Sequence, residues 1–177
     1  MKIIDLSETI FSGMIVYPGD PEVVFEKKHS IQREGWRLQK LTFGSHTGTH
    51  VDAFSHMDSK GQFLNKIPLK KFFGLAQVVD ISGKFPLKKG LLFSSGKLGL
   101  SLFNKIIQVK PIFVGCSVNC DLSVDLERQL LKSGILTFTD LVNVDKLPQN
   151  KDFMFYGFPL KLKGMDGSPI RAVAIIN

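Results

Sequence analysis

The chain has 177 residues, 44% of them apolar, which is enough for one domain (1–177) with a core that needs no disulfide staples. No apolar run reaches the roughly 18 residues of a membrane span, and two cysteines are too few for a disulfide framework. The net charge of +7 comes from scattered pairs such as Lys27-Lys28, Lys70-Lys71 and Lys88-Lys89 rather than from a basic run, so it reads as a solvated surface and not as a nucleic-acid footprint.

At the N-terminus, Asp5 interrupts the short apolar stretch of Met1–Ser7, which argues against a secretory leader and for a cytoplasmic protein. Tyr17-Pro18-Gly19-Asp20 is a turn signal, since Pro presets φ at the second position and Gly supplies a positive φ at the third. Short apolar runs rich in β-branched or aromatic residues predict strands at Lys40–Phe43, Gln77–Ile81, Ile112–Gly115, Gly134–Phe138, Phe153–Phe158 and Ile170–Ile176. Gly164–Pro169 reads as the loop of a closing hairpin.

One helix is clear. Ser123 can cap it, Val124–Lys132 can form it and Gly134 can end it. Val124, Leu126, Leu130 and Leu131 share one face, while Asp125, Arg128, Gln129 and Lys132 share the other. Glu127 breaks the pattern: it falls on the apolar side, where a carboxylate must be paired, bound to a metal or carried at the edge of the stripe. The chain therefore reads as mixed α/β with more strand than helix.

The chemistry is concentrated in eleven residues. Three of the four histidines lie in His46-Thr47-Gly48-Thr49-His50-Val51-Asp52-Ala53-Phe54-Ser55-His56. The even spacings place His46, His50, Asp52 and His56 on one face of an extended chain, and Thr47, Thr49 and Val51 favour that reading up to His50. Four strand residues span about 13 Å, so two imidazoles ligating one ion at about 2.0–2.1 Å require the backbone to bend between them. Gly48 sits midway and permits a kink. Two imidazoles and a carboxylate make an open ligand set for Zn²⁺ or Mn²⁺, and an ion of that kind supports hydrolysis by lowering the pKa of water and polarising a carbonyl. Two roles are open to His56: general acid/base, which its place beyond the cluster favours, or fourth ligand.

The run His-x-Gly-Thr-His-x-Asp-x-x-x-His resembles the signature of the cyclase family of metal-dependent hydrolases, which includes bacterial kynurenine formamidases (arylformamidases) and isatin hydrolase-like enzymes. Ile4-Asp5-Leu6-Ser7 and Tyr17–Pro21 resemble the family's opening, and Pro159–Leu162 and Asp166–Val173 its close. The resemblance implies an α/β fold with a mixed, barrel-like sheet and few helices (swivelling β/β/α-like), and a homo-oligomer, dimer or tetramer. It implies metal binding by His46, His50 and Asp52, proton transfer by His56 and a substrate pocket lined by Tyr17. Three departures stand out. Phe54 replaces the usual Pro, Glu127 occupies the position of a metal-binding His, and Thr139 occupies that of a metal-binding Glu. These predict one divalent ion per subunit, Zn²⁺ first and Mn²⁺ second, with Glu127 as a further candidate ligand.

The leading reading is thus a hydrolase of a small-molecule amide or cyclic amide, with lactones as chemical alternatives. A second is a non-catalytic metal- or ligand-binding member of the same family. A third is a nucleic-acid-binding protein with a structural zinc held by Cys116, Cys120 and two histidines.

Overall fold

The predicted helix forms over the predicted residues. In the computed structural model, which describes residues 1–176, α3 spans Val124–Lys132 and the Ser123 hydroxyl accepts the Leu126 N–H at 3.3 Å. Leu126, Leu130 and Leu131 are buried beneath it. Val124 is not: it sits in the first turn, 52% exposed, before the helix has settled against the sheet. Two shorter helices, α1 (Ile31–Glu34) and α2 (Phe103–Gln108), complete the helical content of the described residues apart from single 3₁₀ turns.

Thirteen strands follow one another as β1 (Lys2–Asp5), β2 (Val24–His29), β3 (Leu38–Thr42), β4 (His50–Asp52), β5 (Phe73–Val78), β6 (Gly90–Phe93), β7 (Gly96–Leu98), β8 (Phe113–Ser117), β9 (Cys120–Leu122), β10 (Leu136–Leu141), β11 (Phe153–Tyr156), β12 (Gly167–Pro169) and β13 (Val173–Ile176). Nine form one sheet in the order β1-β13-β11-β5-β6-β8-β10-β4-β12. Its centre, β5-β6-β8-β10, is parallel, and both flanks are antiparallel. All six predicted strands are present with shifted ends. The predicted hairpin loop is closed by a Pro159–Ile170 bridge, but its last three residues form β12 against β4.

The parallel centre is covered on both faces, so its strands carry continuous apolar runs. Both β6 and β8 are buried at every position. The pleat divides them. Leu91, Phe93, Val114 and Cys116 join a core under α2 and α3, while Leu92 and Phe113 join a second core on the opposite face. That second core is a cage of rings, with Phe113, Phe138 and Phe155 at centroid separations of 4.8–5.2 Å. It also contains Ile4 from one end of the sheet and Val51 from near the other. Leu6 explains how: its N–H donates to Ala172 while its carbonyl accepts from Val142, just beyond β10. The sheet curls into a half-barrel around this core, as the mixed, barrel-like expectation required.

Strands β2 and β3 form a separate arm with no buried residue. No helix among the described residues is long and apolar enough to cross a membrane.

The ring cage should dominate stability. Phe138→Ala is expected to cost about 3–5 kcal/mol, and loss of the α3 cap in Ser123→Ala about 1 kcal/mol. Urea unfolding of both variants checks the order; comparable losses would show that the cage is not the centre of the fold.

Candidate metal centre

The histidine segment is less extended than its spacing suggests. Only His50–Asp52 is strand; Ser45 and His46 lie in a turn, and Gly48, at φ 59°, bends the chain before β4. That positive φ supplies the required kink and folds His46 back over β4. His56 follows on a 3₁₀ turn over Phe54–His56.

Strand β4 is held between β10 and β12, and its register decides who faces whom. Thr137 and Gly167 flank Asp52, and Thr139 and Pro169 flank His50. Residues directly opposite in paired strands share a face, so both threonines point at the site. The Thr137 hydroxyl lies 2.9 Å from Asp52 Oδ2, and that of Thr139 lies 2.8 Å from His50 Nε2. Opposite Asp52, Gly167 leaves the room into which the His46 ring folds: a Cβ there would stand 2.5 Å from His46 Cε1.

The result is a convergent donor set. Asp52, 1% exposed, receives His46 Nδ1 at 2.8 Å on Oδ1, with His50 Nε2 at 3.5 Å from the same oxygen. His50 Nδ1 donates to the Gly48 carbonyl at 2.6 Å, which fixes its tautomer and leaves the Nε2 lone pair facing inward. One ligand atom from each of His46, His50 and Asp52 lies within 4.8 Å of the others, as a first-row divalent ion requires. A second such group, His46, His56 and Asp166, shares the His46 ring. The donor chemistry therefore fits a metal ion.

Without an ion the charges are strongly coupled. Burial opposes ionisation of Asp52, but His50 and His46 hold its carboxyl well below the usual range. Burial likewise opposes protonation of His46, but Asp52 and then Asp166 outweigh it and raise the imidazole to about 9. Asp166, despite its own partial burial, is lowered to about 2, chiefly by His46.

Glu127 points inward from α3, as its place in the apolar stripe requires, but reaches the site through another side chain. Its Oε1 lies 3.0 Å from the Thr137 hydroxyl, which also faces Asp52. That hydroxyl has one proton and can donate to only one of the two carboxyls. Burial and the nearby Asp52 charge push Glu127 up to about 8, so it can stand as the acid that donates to Thr137 while Thr137 donates to Asp52. Neither ligand group includes Glu127.

Thr139 and Asp140 are neighbours that strand alternation would turn to opposite faces, yet both approach His50. The ladder between β10 and β8 slips between Phe138 and Leu141, and Asp140 takes φ 54°. This bulge brings Asp140 Oδ2 to 3.9 Å from His50 Nδ1 while Thr139 holds Nε2. Tyr17 closes its predicted turn, with Asp20 N–H donating to the Tyr17 carbonyl at 2.9 Å, and stands 75% exposed. Cys116 and Cys120 are free thiols and belong to neither ligand group, which removes the basis for a structural zinc site shared with the histidines. Sequence reasoning gave no role to Asp166. A lone Asp in a loop carries no signal until topology sets it beside residues 46 and 56.

The Cyclase family model, described as “Putative cyclase”, matches residues 4–97. A kynurenine formamidase of Salinibacter ruber is 27% identical over 208 aligned residues, covering 98% of this chain and 97% of its own. One from Bacillus thuringiensis is 29% identical over 201, covering 96% and 95%. Among solved structures, an isatin hydrolase bound to the product analogue thioisatinate superposes with a TM-score of 0.83 over 99% of this chain and 92% of its own; at 16% identity the likeness is one of fold.

Gly167 gives a direct test of the geometry. Gly167→Ala should displace the His46 ring and weaken Zn²⁺ binding by about 10–100-fold, the usual effect of disturbing a ligand's support, in a protein that remains folded by circular dichroism. Unchanged affinity by competition with a chromogenic chelator would mean that His46 does not sit where the ion binds.

Proposed function

The chain belongs to the Cyclase family, and from that membership and its donor set we propose that it is a metal-dependent hydrolase cleaving a carbon–nitrogen bond in a small amide or cyclic amide. The observation that carries the reading is the convergence of His46 Nδ1, His50 Nε2 and Asp52 Oδ1, with a further imidazole, His56, 4.1 Å from the His46 ring. When bound, a divalent ion supplies a Lewis acid that polarises the scissile carbonyl and acidifies water. The chain's own residues do the rest. His46, His50 and Asp52 hold the ion, the Gly48 carbonyl keeps the His50 lone pair aimed at it, and Thr137 orients Asp52. His56 accepts a proton from the attacking water and returns it to the nitrogen as the C–N bond breaks.

Relatives named for a formamidase and an isatin hydrolase direct the substrate search to N-formyl arylamines and cyclic amides, with lactones as the ester counterpart. The ion is read as one per chain, Zn²⁺ before Mn²⁺, because Glu127 and Thr139 stand where the family has a second set of ligands. Glu127 is read as a supporting group acting through Thr137. A non-catalytic family member is the second reading, and one contact favours it: the Thr139 hydroxyl occupies the His50 lone pair that an ion would use.

The reading extends to a homo-oligomer, dimer or tetramer. The arm and the segment before it leave Phe11, Ile15, Tyr17, Trp36, Leu38 and Leu41 exposed, which supports a role for this region in association. A concavity of about 690 Å³ also lies on the arm, between Lys27, His29 and Arg37, and none of His46, His50 or His56 lines it. Tyr17 would then line a pocket completed by a second copy. Two free thiols accord with a cytoplasmic location.

Protein purified without chelator, analysed for metal and tested on N-formyl arylamines, isatin-like cyclic amides and lactones, decides the reading. His50→Ala and Asp52→Ala should lose the ion. His56→Ala should keep it and lose turnover by roughly 10²–10⁴-fold. Loss of metal in His56→Ala would make His56 a ligand, and a metal-loaded wild type inert towards every class would favour the non-catalytic reading.

A further inference from the structure

We infer that Asp166 is a positioning residue that assigns the two neighbouring histidines their different tasks, His46 to the ion and His56 to the proton. The inference rests on the hydrolase reading for the task of His56, and on geometry alone for the hydrogen bonds.

Asp166 is brought from the far end of the chain and held by its backbone. Its carbonyl accepts the Ala53 N–H at 2.8 Å, the neighbouring Met165 carbonyl accepts Leu64 N–H at 2.9 Å, and Gly167 is in register with Asp52. The side chain is then fully committed. Oδ1 accepts the Ser45 hydroxyl at 3.0 Å, and Oδ2 faces His46 Nε2 at 3.0 Å and His56 Nδ1 at 3.3 Å. A carboxylate has no proton to offer, so both ring nitrogens that meet it must carry their own.

That requirement fixes which nitrogen of each ring faces Asp166. Both His46 nitrogens meet carboxylates in this structure, so an ion bound beside Asp52 would replace the Nδ1 proton and leave Nε2–H on Asp166. With Nδ1–H directed at Asp166, His56 keeps Nε2 as the atom that takes and returns a proton. One acceptor oxygen thereby supports a ligand through its outer nitrogen, a common arrangement at metal sites, and orients a general base in the manner of the carboxylate in a catalytic triad. Gly167 makes this possible, because any side chain there would strike the His46 ring and lift it from Asp166.

The same three residues could instead hold a cation of their own, and the experiment separates the two roles. In Zn²⁺-loaded protein labelled with ¹⁵N-histidine, long-range ¹H–¹⁵N spectra should show His56 protonated at Nδ1. Asp166→Ala should shift His56 towards the Nε2–H form, keep the bound Zn²⁺, and lower kcat by about 10–100-fold with KM little changed. Asp166→Asn, which retains an acceptor oxygen, should restore much of both. The Asp166→Ala/His56→Ala double variant should lose less than the product of the two single losses, because residues acting as a unit are not additive. Loss of Zn²⁺ from Asp166→Ala, an unchanged His56 tautomer, or losses that multiply in the double variant would each overturn the proposal. If the tautomer shift is found and no substrate is turned over by the wild type, the hydrogen-bond assignment stands and the hydrolase reading is what fails.

Discussion

A carboxylate with almost no contact with water sets the terms for this protein. Asp52 ends β4 with 1% of its surface exposed, and an isolated charge in such a place would be prohibitive. It persists because its oxygens are answered, Oδ1 by the His46 Nδ1–H with the His50 ring beside it and Oδ2 by the Thr137 hydroxyl. Each of those partners has its own support: the Gly48 carbonyl for His50, Asp166 for His46 and Glu127 for Thr137. The half-barrel is what puts them in place. Strand β4 pairs on both edges, so its two inward side chains have fixed neighbours on either side, and the ring cage keeps the sheet curled beneath them.

What could be read without coordinates was what is locally determined. Helix α3 was legible to its ends because a cap, an apolar period and a stop all lie within a dozen residues. The cluster of candidate donors was legible because histidine is scarce here and three fall together. The exposed ends and short elements were not legible. Strand β6 is only four residues long, and β2 has no buried residue, so their pairing depends on partners distant in sequence. The extended reading of His46–His50 failed because Gly48 does more than bend a strand. It prevents one from starting until His50.

The bulge at Asp140 shows the same limit from another side. Alternation along β10 predicts that Thr139 and Asp140 diverge, and a single residue with positive φ cancels that rule. Where formamidase-like relatives are expected to carry a metal-binding Glu, this chain presents a hydroxyl to His50 and a carboxylate beside it. Glu127, likewise, reaches Asp52 through the single hydroxyl of Thr137. Around β4, then, Glu127, Thr139 and Asp140 add polar groups to the cluster.

The distribution of these residues along the chain has a consequence for biosynthesis. His46, His50, Asp52 and His56 all lie within the first third of the sequence, yet the groups that hold this cluster in position include residues 137 and 166. Contacts this distant close late, since the intervening chain must first be ordered. A nascent polypeptide would expose three histidines and an aspartate long before β10 and β12 could flank them. It would meet cellular metals as a floppy chelator, indifferent to geometry, and only the finished half-barrel could choose among ions by the shape of the site.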